Sequence, residues 1–145
     1  MGKTTIYTVF ILWYAMYHPD KRVMICGNQL GIAIEIMDII RLAYEYCPSS
    51  IKIGVTTYNK QCIEFENNST IRCFATGSSG TRGFSTNLLV LDEAAFIPKH
   101  VADEFMASVF PVLSSSKDSK AIMVSTPNGT YNNLFYDTWQ QATDP

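Results

Sequence analysis

The sequence predicts an α/β fold with a central, mainly parallel sheet flanked by helices, and a β-hairpin inserted into it or set at its edge. Three observations predict it. Arg22–Cys26 (R-V-M-I-C), Asn87–Leu91 and Lys120–Ser125 (K-A-I-M-V-S) run with little polar alternation, as strands covered on both faces do. Segments with helical spacing separate them. Two further strand-like stretches flank Glu66-Asn67-Asn68-Ser69, which is turn chemistry. At 145 residues and 47% hydrophobic, the chain suffices for one domain with a core and is too short for two ordinary ones.

Thr4–Tyr17 is apolar nearly all round, which predicts a buried helix. Arg22–Cys26 is a short strand ended by Gly27-Asn28, and Asn28-Gln29 is expected to cap the next helix or to face a ligand. In Ile32–Tyr46, the residues Ile32, Ile36, Ile39, Ile40 and Ala43 are read as one buried face; Pro48 blocks further helix. Ile51–Thr57, Cys62–Phe65 and Thr70–Ala75 read as strands, the last two paired as a hairpin. Thr76–Ser85 is rich in Gly, Ser and Thr and reads as a loop. After the strand Asn87–Leu91 come a helix over Val101–Phe110 with Pro111 near its end, the strand Lys120–Ser125, and a closing helix over Tyr131–Gln141. There is no internal repeat, low-complexity tract or linker.

The net charge of −2 gives no overall basic field that points to nucleic acid, although a few basic residues lining a channel would not register in it. Four cysteines (Cys26, Cys47, Cys62, Cys73) form no C-x-x-C pair, and His18 and His100 lie far from any paired ligand, so reduced core thiols are expected rather than zinc. The apolar run Ile6–Tyr17 is followed at once by His18-Pro19-Asp20-Lys21-Arg22, without a small-residue cleavage site. It is shorter than the ~20 residues of a membrane-spanning helix, and Ile6 breaks the myristoylation pattern. No membrane partner is expected.

Three motifs carry chemistry. Gly2-Lys3-Thr4 matches the end of G-x-x-x-x-G-K-[ST], where glycine lets backbone N–H groups wrap phosphates and the helix N-terminus favours negative charge. Lys3 would reach the β- and γ-phosphates and the Thr4 hydroxyl would bind Mg²⁺. Alone, G-K-T is also a harmless tripeptide. Leu88-Leu89-Val90-Leu91-Asp92-Glu93 delivers two carboxylates at the C-terminal end of a buried strand, where ligands bind on open parallel sheets. Asp92 suits a Mg²⁺ shell, and Glu93 suits orienting or deprotonating an attacking water. The bland reading is an acidic helix start. Val124-Ser125-Thr126-Pro127-Asn128-Gly129 follows a third strand, so Ser125, Thr126 and Asn128 are expected near the γ-phosphate; it is equally good turn chemistry. Arg82, the one basic residue of the Gly77–Gly83 loop, is open to three roles: stabilising transition-state charge, touching DNA, or simple solvation.

Taken together, these residues resemble the ATPase domain of large terminase subunits of tailed phages, especially the T-even-like branch. Gly2-Lys3-Thr4-Thr5 looks like the end of that family's Walker A, and Gly31–Arg41 is similar to its helix after the second strand. Tyr58-Asn59-Lys60, Ile63-Glu64-Phe65 and Asn68-Ser69-Thr70-Ile71 resemble its W-N-K…I-E-L…G-S-x-I hairpin, and Thr81-Arg82-Gly83 its R-G loop. Asp92–Pro98 looks like Walker B with its tail, and Ser125–Gly129 like the coupling motif. The resemblance implies a P-loop NTPase of the helicase-like ASCE type, fuelled by Mg²⁺ and ATP, that drives double-stranded DNA into a capsid. It implies Gly2, Lys3, Thr4, Thr5, Ser125, Thr126 and Asn128 as nucleotide-binding, Thr4 and Asp92 as metal-holding, and Glu93 and Arg82 as catalytic. It also implies a homo-oligomeric ring, the capsid portal and the small terminase subunit as partners, and a place in the host cytoplasm. Residues 1–145 are expected to be a partial ATPase domain: the first glycine of the P-loop and an acidic nuclease domain are absent. Weak or no hydrolysis is therefore expected of this piece alone.

Two other readings stand beside it. A helicase usually carries D-E-x-D or D-E-x-H and S-A-T where this chain has Asp92-Glu93-Ala94-Ala95 and Ser125-Thr126-Pro127. A non-catalytic nucleotide-binding or assembly module sits poorly with the intact Lys3, Asp92 and Glu93.

Overall fold

The computed structural model describes residues 2–129 and 133–144. Its elements are α1 (Lys3–Tyr17), β1 (Arg22–Gly27), α2 (Leu30–Tyr46), β2 (Val55–Tyr58), β3 (Cys62–Phe65), β4 (Thr70–Ala75), β5 (Leu88–Asp92), α3 (Lys99–Ser114), β6 (Lys120–Val124) and α4 (Leu134–Thr143). Single 3₁₀ turns occupy Ser79–Thr81 and Ala94–Phe96.

The strands form one mixed sheet in the order β2-β3-β4-β1-β5-β6. β4, β1, β5 and β6 are parallel neighbours, whereas β2 and β3 continue the sheet antiparallel beyond β4. The expected hairpin is therefore half integral. Its second strand is a parallel member beside β1, and only its first strand lies toward the edge. The turn uses Asn68 at φ 65°, a left-handed conformation that Asn tolerates.

Strand alternation divides the core between the two faces. Val23, Ile25, Ile71 and Val90 pack with α1 and α2. Met24, Cys26, Leu89 and Leu91 pack with Phe84 and the Phe105–Val109–Leu113 stripe of α3. The hairpin turn also closes α1. Asn67 Nδ2 donates to the carbonyls of Ala15 (2.9 Å) and Met16 (3.0 Å), satisfying oxygens that a helix end leaves without partners.

Five expectations change. α1 is not buried all round: Tyr7, Ile11, Leu12 and Ala15 are buried, while Ile6, Val9, Trp13 and Tyr17 form an exposed stripe, partly flanked by His18 and Ile51. In α2 the buried face is Ala33, Ile36, Met37, Ile40 and Tyr44; Ile39 points outward, because the helical spacing of that face runs through 33, 37, 40 and 44 and leaves 39 beside it. β2 begins at Val55 rather than Ile51. α3 runs through Pro111 to Ser114. Pro111 is on the exposed face, so water can satisfy the carbonyl its ring displaces, and burial of Leu113 holds the last turn in place. The closing helix starts at Leu134; residues 131 and 132 of the expected span lie outside the described ones.

Candidate active site

β1, β5 and β6 are parallel, so their C-terminal tips lie along one edge of the sheet. β5 ends in Asp92, which pairs in register with Val124 of β6, so Glu93 and Ser125 leave the sheet side by side. The N-terminus of α1 meets this edge: Lys3 is close enough to Asp92 for its ammonium to favour the carboxylate.

Asp92 is buried, and its Oδ1 has no hydrogen-bond partner. Burial raises its carboxyl above the usual range and the Glu93 charge adds to this; the Glu93 backbone N–H and Lys3 partly offset both. The Tyr7 hydroxyl, also buried, lies near enough to Thr4 and Asp92 to interact with both, but makes no hydrogen bond of good geometry. Burial and the Asp92 charge push it up to about 12, so it stays protonated.

Glu93 adopts φ 50°, ψ 44°, a left-handed backbone that costs a residue bearing a Cβ roughly 1–2 kcal/mol. The kink turns the chain out of the strand into the Ala94–Phe96 turn and swings the carboxylate toward β6. There its Oε2 accepts from the Thr126 hydroxyl (3.2 Å) and backbone N–H (3.4 Å). A cavity of about 340 Å³ opens beside it, lined by Asn28, Ile32, Glu93, Phe96 and Thr126.

The segment after β6 grips the one after β5. Ala95 N–H donates to Ser125 Oγ (3.0 Å), and Asn128 Nδ2 donates to the Ala95 carbonyl (3.0 Å). Of the groups expected at a γ-phosphate, Thr126 thus touches Glu93, while Ser125 and Asn128 hold the backbone behind it.

Gly2 sits at φ 92°, the left-handed region open to glycine, and a Cβ there would meet nothing within 4 Å. No side chain caps α1, so the first N–H groups, at Lys3, Thr4 and Thr5, face outward as anion donors. Arg82 stands apart. Its guanidinium pairs with Glu104 of α3 at 3.1 Å, both side chains are exposed, and among the described residues no hydrogen bond or ion pair joins it to Lys3, Asp92 or Glu93.

A nucleotide with its divalent cation fits this donor set. An unpartnered buried carboxylate oxygen on Asp92, the Thr4 hydroxyl, an ammonium and an uncapped helix N-terminus are complementary to a metal–phosphate group. Among the described residues there is no cluster of three His, Cys, Asp or Glu. The four cysteines are free thiols. No helix among the described residues is long and apolar enough to cross a membrane.

Sequence reasoning misses Tyr7 and leaves Asn28 between two roles. Tyr7 follows Lys3 by four residues, so helical spacing alone puts both on one face. For Asn28 the cap role falls away: Gln29 is the N-cap and acts without its side chain, leaving Asn28 beside the cavity.

The family described as "Terminase large subunit, T4likevirus-type, N-terminal" matches residues 1–145. Among solved structures, the large terminase ATPase domain of Thermus phage P74-26 is 23% identical, with a TM-score of 0.67 over 88% of this chain and 56% of that one. The HK97 bacteriophage large terminase is 17% identical, with a TM-score of 0.79 over 99% of this chain and 31% of that one. The large terminase of a thermophilic bacteriophage, solved in complex with ATP-gamma-S, is 17% identical, with a TM-score of 0.66 over 99% of this chain and 34% of that one. The chain thus spans from about a third to just over half the length of these proteins. At such identities the likeness shows the fold, a mixed sheet flanked by helices as in P-loop ATPase domains.

Proposed function

We infer from its membership of the terminase large-subunit family, T4-like-virus type, to whose N-terminal part this chain belongs, that it is the core of an ATP-hydrolysing motor that packages double-stranded DNA. The observation that carries the reading is the convergence of Lys3, Asp92 and Glu93 on one sheet edge, with a buried Asp92 oxygen left without a partner.

Gly2, Lys3, Thr4 and Thr5 bind the phosphates through the N–H groups of the first turn of α1, the Lys3 ammonium and the Thr4 hydroxyl. Thr4 and Asp92 hold Mg²⁺, which when bound neutralises charge on the β- and γ-phosphates. Glu93 accepts a proton from the attacking water, or orients it, and Thr126 holds the carboxylate while no such water is engaged. Ser125 and Asn128 keep the Ala94–Phe96 turn in place, and with it Glu93. In this reading Arg82 acts at the surface of α3 rather than at the phosphates.

The packaging role brings proposed partners with it: double-stranded DNA, the capsid portal, the small terminase subunit and further copies of the motor in a ring, in the host cytoplasm. Residues 1–145 are then part of a larger ATPase domain. The test compares nucleotide binding and turnover of a large-subunit protein carrying this sequence with its Lys3→Ala and Glu93→Gln variants. Lys3→Ala should abolish binding and turnover, and Glu93→Gln turnover alone; near-normal rates in either variant would falsify the assignment.

A further inference from the structure

Asn133 is buried, 4% exposed, and its side chain spans two elements. Its Nδ2 donates to the carbonyls of Asn128 (3.1 Å) and Gly129 (3.5 Å). Its Oδ1 accepts from the Tyr136 backbone N–H (2.8 Å), which makes it the N-cap of α4.

This places Asn133 near the end of a series of hydrogen bonds that runs from Glu93 to α4. Thr126 donates to Glu93; Ser125 Oγ donates to the Thr126 carbonyl; Ala95 donates to Ser125; Asn128 donates to Ala95; Asn133 donates to Asn128; and Tyr136 of α4 donates to Asn133. Pro127 stiffens the step between Thr126 and Asn128. Apart from this cap, α4 rests only lightly on the Ala94–Phe96 turn and on α3. None of its residues is buried, Leu134 and Phe135 pack at the core margin, and its one ion pair among the described residues, Asp137 with Lys99, is exposed at 3.8 Å. A helix so lightly packed follows its cap.

We propose that Asn133 is a positioning residue that ties the orientation of α4 to the state of the Glu93 carboxylate through Asn128 and Ala95. When Glu93 turns from Thr126 toward a water at the phosphate, the Ser125–Asn128 segment shifts, and Asn133 carries that shift into the first turn of α4. The link to turnover rests on the nucleotide reading above; the mechanical link does not.

The experiment uses Asn133→Asp, which retains the cap acceptor but cannot donate to the Asn128 carbonyl, and Asn133→Ser, which caps α4 but is too short to reach it. Exchange of the Tyr136 amide is followed by hydrogen–deuterium exchange, first without nucleotide. Asn128→Ala should speed it about two- to tenfold in the unaltered background, and leave it unchanged in the Asn133→Asp and Asn133→Ser backgrounds. Equal acceleration in all three, or none in the unaltered one, overturns the proposal. A fluorescent ATP analogue with Mg²⁺ is then titrated into the same proteins. Where it binds, it should alter Tyr136 exchange in the unaltered chain and not in Asn133→Asp, and an equal change in both overturns the proposal. Failure of the unaltered chain to bind the analogue counts against the nucleotide reading alone, because the nucleotide-free arm decides the joint by itself.

Discussion

Replacing Asp92 with Asn should make the metal-free protein more stable, not less. The Asp92 carboxylate is buried, its Oδ1 lacks a partner, and Glu93 repels it. An Asn side chain has the same shape and no charge, and its amide can donate to the Tyr7 hydroxyl, the other orphan nearby. Relieving an unsatisfied buried polar group is worth about 1–3 kcal/mol, which for a domain of this size is roughly 3–10 °C in Tm. The assay is thermal unfolding at pH 7 in EDTA. The pH dependence has a definite sign. Because the folded-state pKa lies above the ordinary 3.8, the unfolded chain releases this proton first as pH rises. Stability therefore falls from pH 3.8 up through the raised value and stays lower above it. That fall should be absent in Asp92→Asn, and Mg²⁺ with nucleotide should restore stability at neutral pH to the unaltered protein alone. A lower Tm for Asp92→Asn in EDTA would mean that the Glu93 N–H, Lys3 and Tyr7 outweigh the cost of burying the charge, and the argument that it is held ready for a cation would fail.

Arg82→Ala should reduce turnover by no more than a few-fold, since the guanidinium is engaged with Glu104; a loss of ~10³-fold or more, as for a transition-state arginine, would return it to the phosphates. Asn67→Ala should cost about 1–3 kcal/mol in denaturant unfolding, because it strips the hydrogen bonds from the last carbonyls of α1; an unchanged midpoint would show that water replaces it. Gly77→Ala should also destabilise, since φ is +88° and the new Cβ would lie 2.9 Å from Val101 Cγ1; a wild-type melting curve would contradict this. Cys26 and Cys73 should resist thiol reagents at pH 8 until the chain unfolds, as burial holds both thiols up, Cys73 at about 11; fast labelling of all four cysteines in the folded protein would refute that.

The sheet was legible because strands buried on both faces leave long apolar runs, as at Leu88–Leu91, and because two carboxylates directly after such a run can only sit at its tip. Nothing in local sequence distinguishes a hairpin added at the edge from one whose second strand joins the parallel set, since β4 is chosen by its pairing with β1, 48 residues away at Arg22↔Thr70. The extent of α3 was hidden for a related reason. Pro111 reads as a stop, and only the burial of Leu113 on the far side overrides it. At the site, the apolar run before Asp92 and Glu93 announced that both carboxylates would leave the tip of a buried strand. The partners of Ser125 and Asn128 were invisible, because hydroxyl and amide groups in a turn fit phosphate and backbone equally well.

The left-handed kink at Glu93 has a bearing on descent. Asn, Asp and Gly sit more comfortably at φ 50° than glutamate does, yet none of them has its reach. If Glu93 faces the attacking water as proposed, selection for that long carboxylate keeps this corner below its own optimum. A copy of this gene with Gly or Asn at position 93 should then keep its shape, gain stability and lose turnover.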